Sequence, residues 1–148
     1  MAEHLSYCAA LLRQHDPDRY LTALFAAGER REALFALYAF NLEIARTREA
    51  VSEPMMGLIR LQWWRDALAD LEQGTIRAHE VMRPLAGAIA AHGLSLTLFE
   101  RLIAARERDL DPEPPADAPD ALPADLSNTN RRNPVRGLNY FVTTQVTT

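Results

Sequence analysis

The stretch that decides the fold is "REALFALYAFNLEIARTREAVSEP", residues 31–54. Residues 33–40 are apolar without a break, and charged side chains then enter the pattern from Glu43 to Glu49. A helix that is apolar on every side needs other helices around it. The stretch therefore predicts a long central helix over 29–51, with a charged end that either faces a ligand or caps the core.

The flanking sequence predicts more helices and no partnered strand. Apolar residues recur at helical spacing on both sides of residues 29–51. Pro17, Gly28, Pro54 and Gly74 mark the boundaries between these segments. In the segment over 79–92, Pro84 either kinks the helix or marks its true start. The predicted fold class is all-α, with further helices over 2–14, 17–26, 54–73, 79–92 and 96–110.

The composition changes after Asp111. Six of the nine prolines fall between residues 112 and 134, a density that no helix interior tolerates. The sequence therefore predicts two parts, a helical domain over 1–111 and a linker or disordered tail over 112–148.

Composition and charge exclude several classes of protein. The chain has 148 residues, suited to one domain, and its formal net charge of -4 is spread along most of its length. Without a block of basic residues, a nucleic-acid partner is not expected. No apolar run approaches the roughly 18 residues of a membrane span. The start resembles no signal peptide, so the expected compartment is the cytoplasm.

All sixteen basic residues are arginine. Arginine grips diphosphate as a planar fork. A GC-rich genome gives the same bias without any function, and the Ala-rich sequence fits that explanation as well. Codon bias is the simpler explanation of the two.

Two pairs of residues hint at metal chemistry. His79-Glu80 begins like a zinc-protease motif but lacks the second histidine at helical spacing. Asp66 and Asp70 are four apart on a predicted helix and could share Mg²⁺. They lie opposite the stripe Leu58, Leu61, Trp64, Leu68 and Leu71, so a solvated outer face is the simpler interpretation.

Three simpler packing roles are also expected. Cys8, the only cysteine, excludes an internal disulfide and is expected to be a small buried apolar residue. Trp63 and Trp64 are expected in the core or half-buried beside it. Residues 106–111, "RERDLD", are expected to form a solvated helix end.

A polar stripe runs along the central helix. Tyr38, Asn41, Ala45 and Glu49 share one face at helical spacing, and on a buried helix such a stripe indicates a cavity or an internal polar network. These four residues are the candidates for lining a substrate cavity. The simpler alternative is that Glu49 only pairs with an arginine at the helix end.

Three segments carry a resemblance to a known family. "RREALFALYAF" (30–40), "LQWWRDAL" (61–68) and "ARERDLDPEP" (105–114) resemble the squalene/phytoene synthase family, over about residues 17–111. The resemblance implies the N-terminal half of an all-helical isoprenoid-synthase bundle. It also implies Mg²⁺-dependent, head-to-head condensation of two prenyl diphosphates in isoprenoid biosynthesis.

The chain departs from the family where the chemistry should lie. The family's first metal motif, D-D-x-x-D, falls on residues 45–49, where Ala45 and Arg46 replace two acids and only Glu49 remains. Leu42 stands at the family's arginine position. The second Asp-rich motif would lie farther along a family chain, so the sequence resembles a truncated or frame-shifted member. No catalytic residue and no metal ligand are therefore predicted.

A subgroup of the family fits these departures better. "AFNLEIARTREAVSEP" (39–54) resembles bacterial relatives of the mitochondrial complex I assembly factor of squalene/phytoene-synthase type. The expected function is a degenerate, non-catalytic binding or assembly role. The alternative is a partial copy of a Mg²⁺-dependent prenyltransferase, so whether the chain is an enzyme stays open.

The predicted half-bundle also predicts partners. Helices that would complete the family fold are not found in the sequence, so an apolar patch near Phe35, Tyr38 and Leu42 is expected to be exposed. A protein partner, a prenyl diphosphate or peripheral contact with a membrane surface would cover it.

Overall fold

The computed structural model describes residues 5–110, and the described part contains seven helices and no strand. The all-α prediction is therefore confirmed for these residues. In chain order the helices are α1 (Tyr7–His15), α2 (Pro17–Leu24), α3 (Gly28–Ala45), α4 (Thr47–Ala50), α5 (Pro54–Glu72), α6 (Met82–His92) and α7 (Leu96–Leu110).

Local sequence signals explain where several helices begin and end. The Ser6 hydroxyl accepts a hydrogen bond from the Ala9 N–H at the start of α1, 3.3 Å away. The Asp16 carboxylate likewise accepts a hydrogen bond from the Arg19 N–H at the start of α2, and Pro17 occupies the first position of that helix. Gly93 ends α6 in the left-handed conformation at φ 60°, which glycine adopts without strain.

Helix α3 lies at the centre of the described chain. Helices α1, α2, α6 and α7 pack against it, and every residue from 33 to 40 is buried. Phe40 is fully buried and meets Trp64 and Phe99 edge-on, with both ring centroids 5.3 Å from its own. The apolar run thus specifies a helix enclosed by others, as its pattern predicts.

Helix α5 packs mainly against α7. Leu61, Trp64 and Leu68 are buried there, as the predicted stripe requires, and Leu71 is half-buried. Leu58 is exposed, so the stripe prediction was wrong at its first member. In the first turns of α5 only Gly57 is buried, against Leu110 at the end of α7 and Val51, so Leu58 has no core to pack into there.

The predicted helix over 29–51 was wrong at its end. Helix α3 stops at Ala45, Arg46 caps it, and the short α4 follows. Thr47 is buried, and its hydroxyl donates to the Glu43 carbonyl at 3.3 Å, a side-chain bond of the kind that bends helices.

The predicted helix over 79–92 begins later, at Met82, so Pro84 lies in the first turn of α6. Proline is tolerated there because first-turn N–H groups have no partner within the helix. Before it, the Val81 N–H donates to Nδ1 of His79 at 3.1 Å and shapes the turn that precedes α6.

The predicted apolar patch was wrong in its location. Phe35 and Tyr38 are buried, and Leu42 is partly buried against the core. Helix α2 folds back over this face: the Tyr20 ring stacks on Phe35 with centroids 5.5 Å apart. Neighbours within the chain therefore cover the surface that was expected to be open.

The expectation of a solvated end for α7 was also wrong in part. Arg106 is buried and Glu107 is held by an ion pair from α5, whereas Arg108 and Asp109 are exposed. The predicted tail over 112–148 lies outside the described residues. Within 5–110, no helix is both long enough and apolar enough to cross a membrane.

Candidate functional site

The four candidate residues of the polar stripe separate into two environments. Tyr38 and Asn41 are buried in the middle of α3, and Ala45 is half-buried at its last position. Glu49 belongs to α4 and is exposed. Because the helix is interrupted at Arg46, Glu49 does not continue the face formed by the other three.

A buried arginine from α2 lies against this stripe. The Arg19 guanidinium carbon is 5.2 Å from the centroid of the Tyr38 ring, a cation–π arrangement. Its Nη1 atom is 3.4 Å from the Asp16 carboxylate, while Nη2 is buried without a hydrogen-bond partner among residues 5–110. Sequence analysis missed Arg19, because nothing in "PDRYL" distinguishes an inward arginine from a solvated one.

A second buried arginine enters from α7. Arg106 is 8% exposed, and its Nη1 atom donates to the Asp109 carboxylate at 2.9 Å. Burial lowers the pKa of Arg19, and the like charge of Arg106 acts in the same direction against the opposing effect of Asp16. Two charged side chains thus sit inside the bundle, each paired with one carboxylate.

Asn41 is the least satisfied polar group of the stripe. It is 2% exposed, and neither its amide oxygen nor its amide nitrogen has a hydrogen-bond partner within the described chain. A buried amide without partners carries a desolvation cost of about 1–3 kcal/mol. Arg19 and Arg106 thus join Tyr38 and Asn41 as buried side chains with polar groups, and none of the four is a carboxylate.

The end of α3 does not fit the Mg²⁺ that the family resemblance implies. Magnesium prefers several oxygen ligands from carboxylates and substrate phosphates. Ala45 offers no side-chain oxygen, Arg46 carries a positive charge, and Glu49 is an exposed residue of α4. Within 5–110, no three His, Cys, Asp or Glu side chains are grouped so that they could hold a metal ion.

The aspartates of α5 have other partners. The Asp66 carboxylate accepts a hydrogen bond from the Gln62 amide at 2.8 Å, and Asp70 pairs with Arg77 at 2.5 Å. Each of the two carboxylates thus has its own partner on the outer surface, and the two do not share one. The simpler interpretation of this pair, an outer polar face, agrees with the contacts.

His79 and Cys8 have packing roles in the described structure. The His79 ring lies 5.3 Å from Trp63 and 4.9 Å from Trp64, centroid to centroid. Trp64 is buried and Trp63 half-buried, as predicted. Cys8 is buried, also as predicted, and burial raises the pKa of its thiol to about 11.

An ion-pair network that the sequence did not reveal joins α5 to α7. Both terminal nitrogens of Arg65 donate hydrogen bonds to the Glu107 carboxylate. Its Nε donates a third hydrogen bond to the Glu100 carboxylate at 3.2 Å. The hydrogen bonds from Arg65 hold the pKa of Glu107 below its usual value, with burial opposing them. The partners are 35 and 42 residues apart in the chain, so no local pattern predicts them.

Two groups of apolar side chains are exposed. The α2 patch comprises Leu21, Leu24 and Phe25, and Phe25 is 93% exposed. The α5 patch comprises Met55, Met56, Leu58 and Ile59. Contiguous apolar surface on a small domain commonly marks a contact site.

Comparison with known proteins identifies the family. The model of the squalene/phytoene synthase family matches residues 12–123. The chain belongs to the squalene/phytoene synthase family. The match confirms the resemblance found in the sequence and runs twelve residues beyond the predicted boundary at 111. No solved structure gives a significant match.

Several relatives of the chain are assembly factors by name. The chain is 36% identical over 105 residues to NADH dehydrogenase (ubiquinone) complex I, assembly factor 6, of Bos taurus, and 35% identical to that of Homo sapiens. The Drosophila melanogaster homolog is 32% identical over 108 residues. The matched part is 71%, 71% and 69% of this chain, but only 32% of each relative. The chain therefore spans about a third of the length of these relatives.

Proposed function

We propose that this chain is a non-catalytic member of the squalene/phytoene synthase family with a binding or assembly role, working in the cytoplasm. The observation that carries the proposal is the end of α3. There Ala45 and Arg46 stand where the family has metal-binding acids, and Glu49 is exposed on α4. A site without these acids has no means of neutralising a departing diphosphate through Mg²⁺.

The names of the relatives support the assembly role. They are called assembly factors of NADH dehydrogenase (ubiquinone) complex I, so the proposed partner is a protein of a bacterial NADH dehydrogenase or of its assembly. The α2 patch is the proposed contact surface. Phe25 projects from the end of α2 almost fully exposed, and large aromatic residues are frequent anchors of protein interfaces.

The proposal is tested in the organism that encodes the chain. Deleting the gene is expected to lower NADH:ubiquinone oxidoreductase activity in isolated membranes and the amount of assembled complex. Expressing the wild-type chain should restore both. The variant Phe25→Ser should fold normally, because Phe25 contributes little buried surface, and should fail to restore them.

A matched control separates the contact from general surface change. Ile76 is an exposed apolar residue in the loop between α5 and α6, outside the α2 patch, so Ile76→Ser should rescue like the wild type. Unchanged oxidoreductase activity in the deletion strain would contradict the assembly role. Full rescue by Phe25→Ser would leave that role standing but remove the α2 patch as its surface.

A further inference from the structure

The α5 patch is a long apolar surface at one end of the described chain. Met55 is 63% exposed, Ile59 is 56% exposed and Met56 is 51% exposed. Leu58 is exposed as well. Around the first turns of α5, only the side that carries Gly57 is buried. Apolar surface of this kind on one helix favours contact with another segment.

The chain leaves the described structure beside this surface. Leu110, the last residue of α7, covers Gly57: a Cβ atom added there would lie 2.8 and 2.9 Å from the two Leu110 methyl carbons. Val51, before α5, lies on the same spot, 3.4 Å from that position. Residue 111 therefore starts at the Gly57 face of α5, which lies between Met56 and Leu58 around the helix, and a few further residues would reach the rest of the α5 patch.

The residues near the α5 patch and the segment after residue 110 carry opposite charges. Helix α4 contacts α5, and the chain here carries three arginines, Arg46 just before α4, Arg48 on α4 and Arg60 on α5, against the two acids Glu49 and Glu53. The next fifteen residues, 111–125, contain five acids and no basic residue. The five acids are Asp111, Glu113, Asp117, Asp120 and Asp125.

The same fifteen residues also supply apolar groups. Five of them are prolines, and Leu122 lies among alanines. A proline-rich segment is already extended, so it loses little conformational entropy when it binds a surface. Fully extended, fifteen residues reach roughly 50 Å, whereas the nineteen residues of α5 span about 28 Å.

We propose that residues 111–125 bind along the α5 patch of the same chain, with their carboxylates facing Arg46, Arg48 and Arg60. The family match supports a role for this segment within the domain, because it continues to residue 123. For residues 112–125 this proposal replaces the prediction of a linker or disordered tail over 112–148. It does not depend on the proposed function.

Paramagnetic relaxation measured on methionine methyl groups tests this contact. A spin label is attached to Ala116→Cys in the full-length chain. Cys8 should not react, because it is buried and its raised pKa, about 11, leaves little thiolate. The chain has four methionines: Met55 and Met56 report on the patch, and the buried Met82 reports on the folded core.

The expected result is a severalfold loss of the Met55 and Met56 methyl intensities, independent of protein concentration. A freely moving tether would also pass near the patch, so a matched variant is needed. In Arg48→Glu with Arg60→Glu the loss should shrink severalfold, because the attraction becomes repulsion. The Met82 signal should keep its position in both proteins and thereby show that the core is folded.

Three outcomes would overturn the proposal. Equal intensity loss in the two proteins would indicate a freely moving linker that does not bind the patch. No loss in either protein would place the segment elsewhere. A loss that disappears on dilution would assign the patch to a second copy of the chain. High salt should imitate the charge-reversed variant if the arginines attract the acids as proposed.

Discussion

The middle of α3 and the first half of α5 have similar apolar sequences and opposite surroundings. "ALFALYAF" (33–40) is buried throughout, whereas in "PMMGLI" (54–59) only Gly57 is buried. Helix α3 has helices α1, α2, α6 and α7 around it, while the start of α5 has α4 and the tip of α7. The apolar pattern of a segment therefore predicts that a helix forms, but its neighbours decide whether the helix is buried.

The largest expected effect tests the buried side of this comparison. Phe40→Ala removes a fully buried ring that contacts Trp64 and Phe99, and it should lower the free energy of unfolding by about 3–5 kcal/mol. Urea unfolding followed by circular dichroism measures the change. On the exposed side, Ile59→Ala should lower the free energy of unfolding by no more than about 1 kcal/mol, because only residues outside 5–110 could cover this side chain. Similar losses from both variants would mean that the start of α5 is as enclosed as α3.

The next effect has the opposite sign. Asn41→Leu replaces a buried amide that lacks hydrogen-bond partners in the described chain by an apolar group of similar size. It should raise the free energy of unfolding by about 1–3 kcal/mol, since an unsatisfied polar group is removed. A loss of stability in the same urea experiment would show that the amide is satisfied in solution.

The third effect concerns the contact between α5 and α7 and depends on pH. Arg65→Gln should lower the free energy of unfolding by about 1 kcal/mol at pH 7, because Arg65 pairs with Glu100 and Glu107 in a partly exposed network. The folded-state pKa of Glu107 lies below its unfolded value. This contribution is therefore present above about pH 4.3 and is lost as the pH falls through the lower, folded-state pKa.

Unfolding in urea at pH 7 and pH 3 measures this linkage. The wild type should lose more stability between the two values than Arg65→Gln does, because the variant has no pair left to lose. Parallel pH profiles for the two proteins would show that the network contributes nothing to folding.

The smallest effect on stability is expected in the α2 patch. Phe25→Ser should change the free energy of unfolding by less than about 0.5 kcal/mol, because the ring is 93% exposed. Its effect should appear only in the rescue of the deletion strain. A large destabilisation would mean that Phe25 packs against a part of the chain outside residues 5–110.

Sequence predicted the helices well where the cause is local. The apolar run of α3, the Pro17 and Pro54 starts and the burial of Cys8 and Trp64 follow from composition and spacing. The break at Arg46 escaped prediction, because it depends on how Thr47 is buried after the chain turns. The missing acids at Ala45 and Arg46 were visible from the family resemblance alone.

The burial of Arg19 and Arg106 could not be predicted, because burial of a charged residue depends on which helix covers it. Arg19 and Arg106 are 87 positions apart in the chain, yet both lie inside the bundle. Nothing in their local sequences marks them as buried. The same holds for the apolar patch expected near Phe35 and Tyr38, which α2 covers by folding back.

The described helices keep the core of the family, and we propose that the chain lacks the family's metal chemistry. The most direct test is release of pyrophosphate from labelled farnesyl or geranylgeranyl diphosphate by the purified chain, with and without Mg²⁺. The expected result is no release above background, and Ala45→Asp with Arg46→Asp should strengthen Mg²⁺ binding without creating turnover. Mg²⁺-dependent pyrophosphate release by the wild-type chain, free of contaminating enzyme, would contradict the account.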